Sequence, residues 1–340
     1  MTASVTESTV ADILPGWTPP APVRNGHVQT LLARIPPEDA QAVTSGEQPF
    51  LIDAGKDYTG FDPERSVRLL AFYTAHKTAG PRRGLVMTLH GWEGSSHSNY
   101  NLSIGSALVQ AGYDVVRLNF RDHGPTHHLN KGFFYATLIE EVLTATQRVA
   151  WMAGDDPFYL VGASMGGNFA LRLAVEHQRS PIHNLRHVLA INPAIDPDRT
   201  CTLLDEHTLY RIYFRRRWLQ SLRKKQALFP ELFDFRGIER LMTIREMSDW
   251  LVKKYGPFRD VDEYLASYAV PMEPFKRLTT RVTVLTAAND PIIDVNDFRH
   301  FPQHPLLNVH ILATGGHVGY VDVFPLRHLL PELTLAIFGT

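Results

Sequence analysis

Two patterns of hydrophobic residues divide this chain. From about residue 66, short apolar runs alternate with stretches of helical spacing. "VRLLAFYTA" (67–75) and "GLVMTLHGW" (84–92) predict strands, the second so continuously apolar that both its faces must be covered. "NLSIGSALVQAGY" (101–113) predicts a helix that stops near a glycine. A strand at "DVVRLNFRDHG" (114–124) follows, then a helix at "YATLIEEVLTATQRVAWMA" (135–153) and a strand at "FYLVGAS" (158–164). "GGNFALRLAVEHQ" (166–178) is helical and "HVLAINPAID" (187–196) extended. Two last strands, "RVTVLTAAND" (281–290) and "NVHILATGGH" (308–317), end in small or polar residues. Helix alternating with buried strand predicts an α/β fold, a mostly parallel central sheet flanked by helices.

The alternation stops between Pro197 and Thr280. "TLLDEHTLYRIYFRRRWLQSLRKKQALFPELFDF" (202–235) and "IREMSDWLVKKYG" (244–256) read as wholly helical. Inserted between two core strands, they predict a helical cap over the carboxyl edge of the sheet, where open α/β sheets keep their ligand sites. The start of the chain is rich in Pro and Gly and weakly periodic. The expected organisation is therefore an N-terminal extension (1–65) packed on a core (66–196 and 280–340), with a cap at 197–279.

Composition narrows the function classes. An apolar fraction of 44% and a charged fraction of 20% are those of a globular protein. A net charge of −1 provides no field toward nucleic acid. Cys201 is the only cysteine, so no internal disulfide and no cysteine-only metal site can form, which fits a reducing compartment. "MTASVTESTVADILPGW" lacks a basic region followed by an apolar one, and no window holds about 18 uninterrupted apolar residues. The expected address is the cytoplasm. Along a helix holding the basic run Arg215-Arg216-Arg217 and Arg223-Lys224-Lys225, Phe214, Trp218, Leu219 and Leu222 fall on one stripe and the cations on the rest. A solvated helix face is the plain reading, and weak contact with an anionic lipid surface the competing one. Nothing in the sequence speaks to oligomeric state.

The chemistry concentrates at "GASMGG" (162–167). A serine at a strand-to-helix turn, with glycines two positions away on either side, is the pattern of a nucleophile elbow. Side chains at the flanking positions would collide with the strained turn. Such a turn lifts the Ser164 hydroxyl out of the sheet edge and directs the Met165 amide toward a developing oxyanion. A serine hydroxyl needs a base, and the base an orienting acid, in the chain order Ser, Asp or Glu, His. Asp290 and His317 follow the last two predicted strands in that order. Asp196, ending the strand before the cap, and Asp294, placed to start a helix, compete for the acid's role. The break at His90-Gly91 offers the Trp92 amide as the second oxyanion donor. His90, Gly91 and Trp92 are also candidates to line the substrate pocket, together with Asp122 and His123. Asp122, His123, His127 and His128 match no defensible zinc spacing, and no metal or other cofactor is expected.

Five segments, "NGHVQT" (25–30), "LHGWEG" (89–94), "GASMGGN" (162–168), "NDP" (289–291) and "GGHVGY" (315–320), together resemble the YheT-like branch of the α/β-hydrolases. The resemblance runs from about residue 15 to the end and implies the α/β-hydrolase fold. It also implies Ser164 as nucleophile, Asp290 as acid and His317 as base. Members are described as carboxylesterases of short acyl esters, with lipid hydrolases and alcohol acyltransferases among relatives. Two positions depart from the branch: Asn289, where many members carry an acid, and Asp122-His123-Gly124, where many carry a Gly-rich turn. The expected function is hydrolysis of a small-molecule carboxylic ester, of short to medium acyl length or lipid-like, through an acyl-enzyme. An alcohol O-acyltransferase and a non-catalytic ligand-binding protein are the alternatives.

Overall fold

The computed structural model describes Trp17 and residues 19–339. The N-terminal stretch read above for a leader lies, through residue 16, outside the described residues. Two short helices, α1 (Gly26–Leu32) and α2 (Gln41–Thr44), lead to β1 (Gln48–Lys56), β2 (Ser66–Thr74) and β3 (Gly84–Leu89). Then α3 (Asn99–Gln110), β4 (Tyr113–Leu118), α4 (Ile139–Trp151), β5 (Phe158–Ala163), α5 (Met165–Glu176) and β6 (Leu185–Ile191) alternate. Four helices follow: α6 (Pro197–Glu206), α7 (Thr208–Leu228), α8 (Ile244–Tyr255) and α9 (Val261–Ser267). The chain closes with β7 (Arg281–Ala287), β8 (Leu307–Leu312), a small hairpin of β9 (Val321–Asp322) and β10 (Arg327–His328), and α10 (Leu330–Phe338).

Eight strands form one sheet in the order β1-β2-β4-β3-β5-β6-β7-β8. β4 through β8 run parallel, while β1 and β2 are antiparallel at one edge. Every residue of β3, β4 and β5 is buried, as continuous apolar runs require of strands covered on both sides. The two-residue period distributes them. Leu85, Met87 and Leu89 pack with Val142, Val149 and Phe169, while Val86 packs with Ile104, Leu108 and Leu333 on the opposite face.

One strand of the eight-stranded sheet has no counterpart in the hydrophobic pattern. β1 lies inside the supposed extension and pairs with β2, so the sheet begins before residue 66. It is an edge strand with an irregular register after Asp53, and only Ile52 and Ala54 along it are buried. Just beyond it, Asp57 reaches the buried guanidinium of Arg121, which also binds Glu141 of α4. The N-terminal region is thus joined to the core by a buried charge cluster as well as by strand pairing.

The segment between β6 and β7 is helical but not continuous. The chain turns at His207 between α6 and α7 and leaves helix after Leu228. Leu219, Leu222, Met247 and Leu251 pack on Phe133, Tyr135 and Leu138 of the loop after β4. The basic run divides in a way the helical stripe did not announce. Arg216, Arg217, Arg223 and Lys224 are exposed, but Lys225 is buried. Its ammonium donates to Asp122 Oδ1 (2.8 Å) and to the carbonyls of Asn130 (2.6 Å) and Gly132 (3.0 Å). An unpaired buried ammonium costs several kcal/mol, so these acceptors decide whether α7 can sit there. No helix among the described residues is long and apolar enough to cross a membrane.

Candidate active site

Parallel strands deliver their following loops to one edge, and five of those loops meet here: His90–Trp92 after β3, Ser164 after β5, Asn192 after β6, Asp290 after β7 and His317 after β8. Ser164 has φ 55° and ψ −120°, a conformation that side chains resist. Its glycine neighbours make the turn sterically feasible. A β-carbon on Gly162 would lie 2.1 Å from the Gly166 carbonyl oxygen, and one on Gly166 would lie 2.3 Å from that of Leu89. Backbone strain is stored around the same edge, where Glu93, Asp122, Asn192, Val318 and Tyr320 also have positive φ.

Ser164 Oγ lies 3.0 Å from His317 Nε2, and His317 Nδ1 lies 2.9 Å from Asp290 Oδ2. A carboxylate oxygen only accepts, so Nδ1 carries the ring proton and Nε2 presents its lone pair to the serine hydroxyl. The Asp290 carboxylate is fully buried and accepts three further bonds: from Asn192 Nδ2 (2.7 Å) and from the amides of Ile292 (2.8 Å) and Ile293 (3.1 Å). Asn192 is itself fixed by Tyr320, whose hydroxyl donates to Asn192 Oδ1 (2.8 Å). Neither competing acid joins this arrangement. Asp196 caps α6 by accepting from the Arg199 amide (3.0 Å), and Asp294 accepts from the Asn296 amide (2.9 Å) and pairs with Arg199.

Met165 supplies the first amide of α5, directly after Ser164. Gly91 lies against the serine, since a β-carbon there would come within 3.1 Å of Ser164 Cβ. Trp92, the next residue, lines the same cavity as Ser164. Burial pushes the Glu93 carboxyl, next in sequence, up to about 7 against the opposing pull of Arg217.

A cavity of about 980 Å³, counting its open mouth, extends from Ser164 and His317 between the sheet edge and the helices of the insertion. Trp92, Phe134, Phe214, Trp218, Tyr264 and Ile292 contribute to its walls, and no Asp, Glu, Lys or Arg among the described residues lines it. The Trp92 ring stacks on Phe214 at 5.3 Å and meets Trp218 edge-on at 5.1 Å, tying the β3 loop to α7.

The structure corrects the other pocket candidates. His90 is wholly buried below the edge. Its Nδ1 faces the Gly91 carbonyl, its Nε2 accepts from the Phe120 amide, and burial pushes its pKa well down. Gly91 uses its amide on the Tyr100 hydroxyl (2.7 Å) and, though beside Ser164, does not line the cavity. Asp122 is buried against Lys225 and accepts the Phe134 amide. His123 is buried against the rings of His90 and Phe134, with its pKa pushed down to about 4 by burial. Residues just after a strand look like site residues in sequence, but these four support the loops instead. His127 bonds the Ser221 hydroxyl, and among the described residues no three His, Cys, Asp or Glu side chains gather as metal ligands.

Sequence reasoning missed Asn192 and Thr30, whose hydroxyl accepts the His317 amide (2.8 Å). The asparagine ends a buried apolar strand, a weak signal. Thr30 had none beyond its place in "NGHVQT".

Residues 84–322 match the family model for the alpha/beta hydrolase fold. A curated relative from Escherichia coli (strain K12), named "Putative esterase YheT", is 25% identical over 250 residues, covering 69% of this chain and 70% of that protein. Among solved structures, the esterase Pf2001 of Pyrococcus furiosus is similar with a TM-score of 0.52 and 17% identity, covering 86% of this chain and 91% of that one. A hyperthermophilic esterase from the archaeon Pyrobaculum calidifontis gives 0.52 and 19%, covering 92% and 89%. At such identities these two likenesses concern the fold.

Proposed function

For this chain, which belongs to the alpha/beta hydrolase fold family, we propose hydrolysis of carboxylic esters through a serine acyl-enzyme. The observation that carries this reading is the unbroken contact chain from Ser164 Oγ through the His317 ring to buried Asp290. His317 Nε2 takes the hydroxyl proton as Ser164 attacks the ester carbonyl, and Asp290 holds the imidazole in the tautomer that accepts it. The amides of Met165 and Trp92 receive the oxyanion. The alcohol leaves with the proton from His317. Water then attacks the acyl carbon while giving a proton to His317. The Ser164 Oγ–acyl bond breaks as His317 returns that proton to Oγ, releasing the acid. The esterase name carried by the Escherichia coli relative supports the same reading.

The helices from residue 197 to 279 act as a cap over this site, on a core of 66–196 and 280–340 to which β1 is added. The cavity's apolar walls favour an uncharged acyl group of short to medium length or a lipid-like one, because a carboxylate or phosphate there would lie buried without a cation. Labelling by a fluorophosphonate and turnover of an activated ester test the proposal together. Ser164→Ala is expected to lose both, with at least about a 10⁴-fold fall in kcat and an unchanged melting temperature. Full turnover by that variant would end the proposal.

A further inference from the structure

Helix α1 takes no part in the chemistry above, yet it touches both loops that carry it. Thr30 Oγ accepts the backbone N–H of His317 (2.8 Å) and donates to the Gly26 carbonyl one turn back (2.8 Å). Gln29 is fully buried. It donates to the carbonyls of Val23 (2.7 Å) and Val321 (2.9 Å) and accepts the Val321 amide (2.7 Å). No room is left for adjustment. A β-carbon on Gly316 would stand 2.3 Å from the Gly26 oxygen, and one on Gly26 would stand 1.9 Å from the carbonyl oxygen of Asn289, the residue before Asp290. Asn289 closes the remaining side, accepting the amides of Gly315 (3.1 Å) and Gly316 (3.0 Å) and donating to the Arg24 carbonyl (2.6 Å). The helix is wedged between the loop of the acid and the loop of the base.

Its outer side meets the insertion. His27 Nδ1 lies 2.9 Å from the Tyr210 hydroxyl with the two rings stacked, and just past the helix the Arg34 guanidinium lies 3.8 Å over the Tyr213 ring. Both tyrosines belong to α7, which also contributes Phe214 and Trp218 to the cavity wall. One side of α1 therefore follows the seat of α7, and the other holds the main chain of His317.

We propose that Thr30 is a positioning residue for His317, and that α1 is the strut through which the seat of α7 sets the distance between His317 and Ser164. The proposal rests on the reading of Ser164 and His317 as nucleophile and base. Its physical ground is local. Left-handed backbone at Gly316 (φ 57°) and Val318 (φ 53°) flanks the histidine, so the ring's direction depends on what pins the intervening amide. A misplacement of about 1 Å is enough to cost about two orders of magnitude in turnover.

The test compares kcat and KM on a short-chain activated ester for Thr30→Val, Thr30→Ser, Tyr210→Phe, the Thr30→Val/Tyr210→Phe pair and His317→Ala. Thr30→Val is expected to lose about 10- to 100-fold in kcat with KM within about two-fold, and to weaken the low-field NMR resonance of the His317 Nδ1 proton. Thr30→Ser restores both. Tyr210→Phe loses a few-fold in kcat and adds almost nothing to Thr30→Val, as two lesions in one path should. Unchanged kcat in Thr30→Val beside an inactive His317→Ala overturns the strut and leaves the hydrolase reading standing. An active His317→Ala overturns the hydrolase reading itself. Additive losses in the double variant overturn the link to α7. Should Thr30→Val not fold, hydrogen exchange at the His317 amide of the intact chain decides. Protection like that of strand amides is expected, and exchange at an open-loop rate overturns the proposal.

Discussion

On the sheet side of the cavity, Ser164, Asp290 and His317 are placed by the main chain: strained φ angles, glycines with no room for a β-carbon, and amides aimed at a carboxylate. On the insertion side, Phe214 and Trp218 of α7 are placed by ring packing against Trp92 of the β3 loop, and α7 is pinned by a buried ion pair, Lys225 with Asp122. The first wall tolerates almost no change in backbone position. The second accommodates new side chains of similar volume at modest cost. On the proposed function, reaction type and substrate choice therefore reside in regions with different tolerance to substitution.

Four perturbations sharpen that contrast. Gly166→Ala should have the largest effect, because its β-carbon meets main-chain atoms of Leu89 and His90 that cannot rotate away. A loss above about 4 kcal/mol is expected in denaturant melts, with activity gone in whatever remains folded. Lys225→Met leaves the Asp122 carboxylate buried without its cation and should cost about 3–5 kcal/mol, read as a lowered melting temperature. Addition of Asp122→Asn should recover part of it. Trp218→Ala opens the cavity wall and should lower kcat/KM for longer acyl esters by about 10-fold, while an acetyl ester is little affected. An equal loss on both esters would place Trp218 in the chemistry rather than the wall.

The smallest effect is a pH dependence. Folded Glu93 keeps its proton to about pH 7, whereas the unfolded chain releases it near the ordinary value of 4.5. Between those values the folded state binds more protons, so this residue makes stability fall as pH rises. Glu93→Gln removes that slope. It should stabilise the chain by about 1 kcal/mol at pH 8, the partial exposure of the side chain moderating the effect, and leave stability near pH 4 unchanged. Melting curves at the two pH values check the sign.

The same contrast explains what could be read from the sequence. The elbow was legible because steric demands at Ser164 are local and leave glycines at fixed offsets. The parallel sheet was legible because strands buried on both faces are apolar throughout. β1 was not, since an edge strand with two buried residues and an internal glycine resembles a loop. Lys225 was read as solvated with its neighbours, although it lies three residues beyond Leu222 and so continues the buried stripe; a cation there demands a buried acid. Asp122 was taken for a pocket residue when it is that acid. Asn192 and Thr30 act through partners more than 90 residues away, and no local pattern encodes such distances.

The bonds between Gln29 and Val321 join residues 292 positions apart. During synthesis, β5 and its serine emerge well before the segment bearing His317. A ribosome-bound chain lacking that segment holds Ser164 without the His317 contact, and Gln29 waits without its partner. Contacts so distant in sequence form late and slowly, so under the proposed mechanism esterolytic competence arrives only when the segments around Gln29 and Val321 meet.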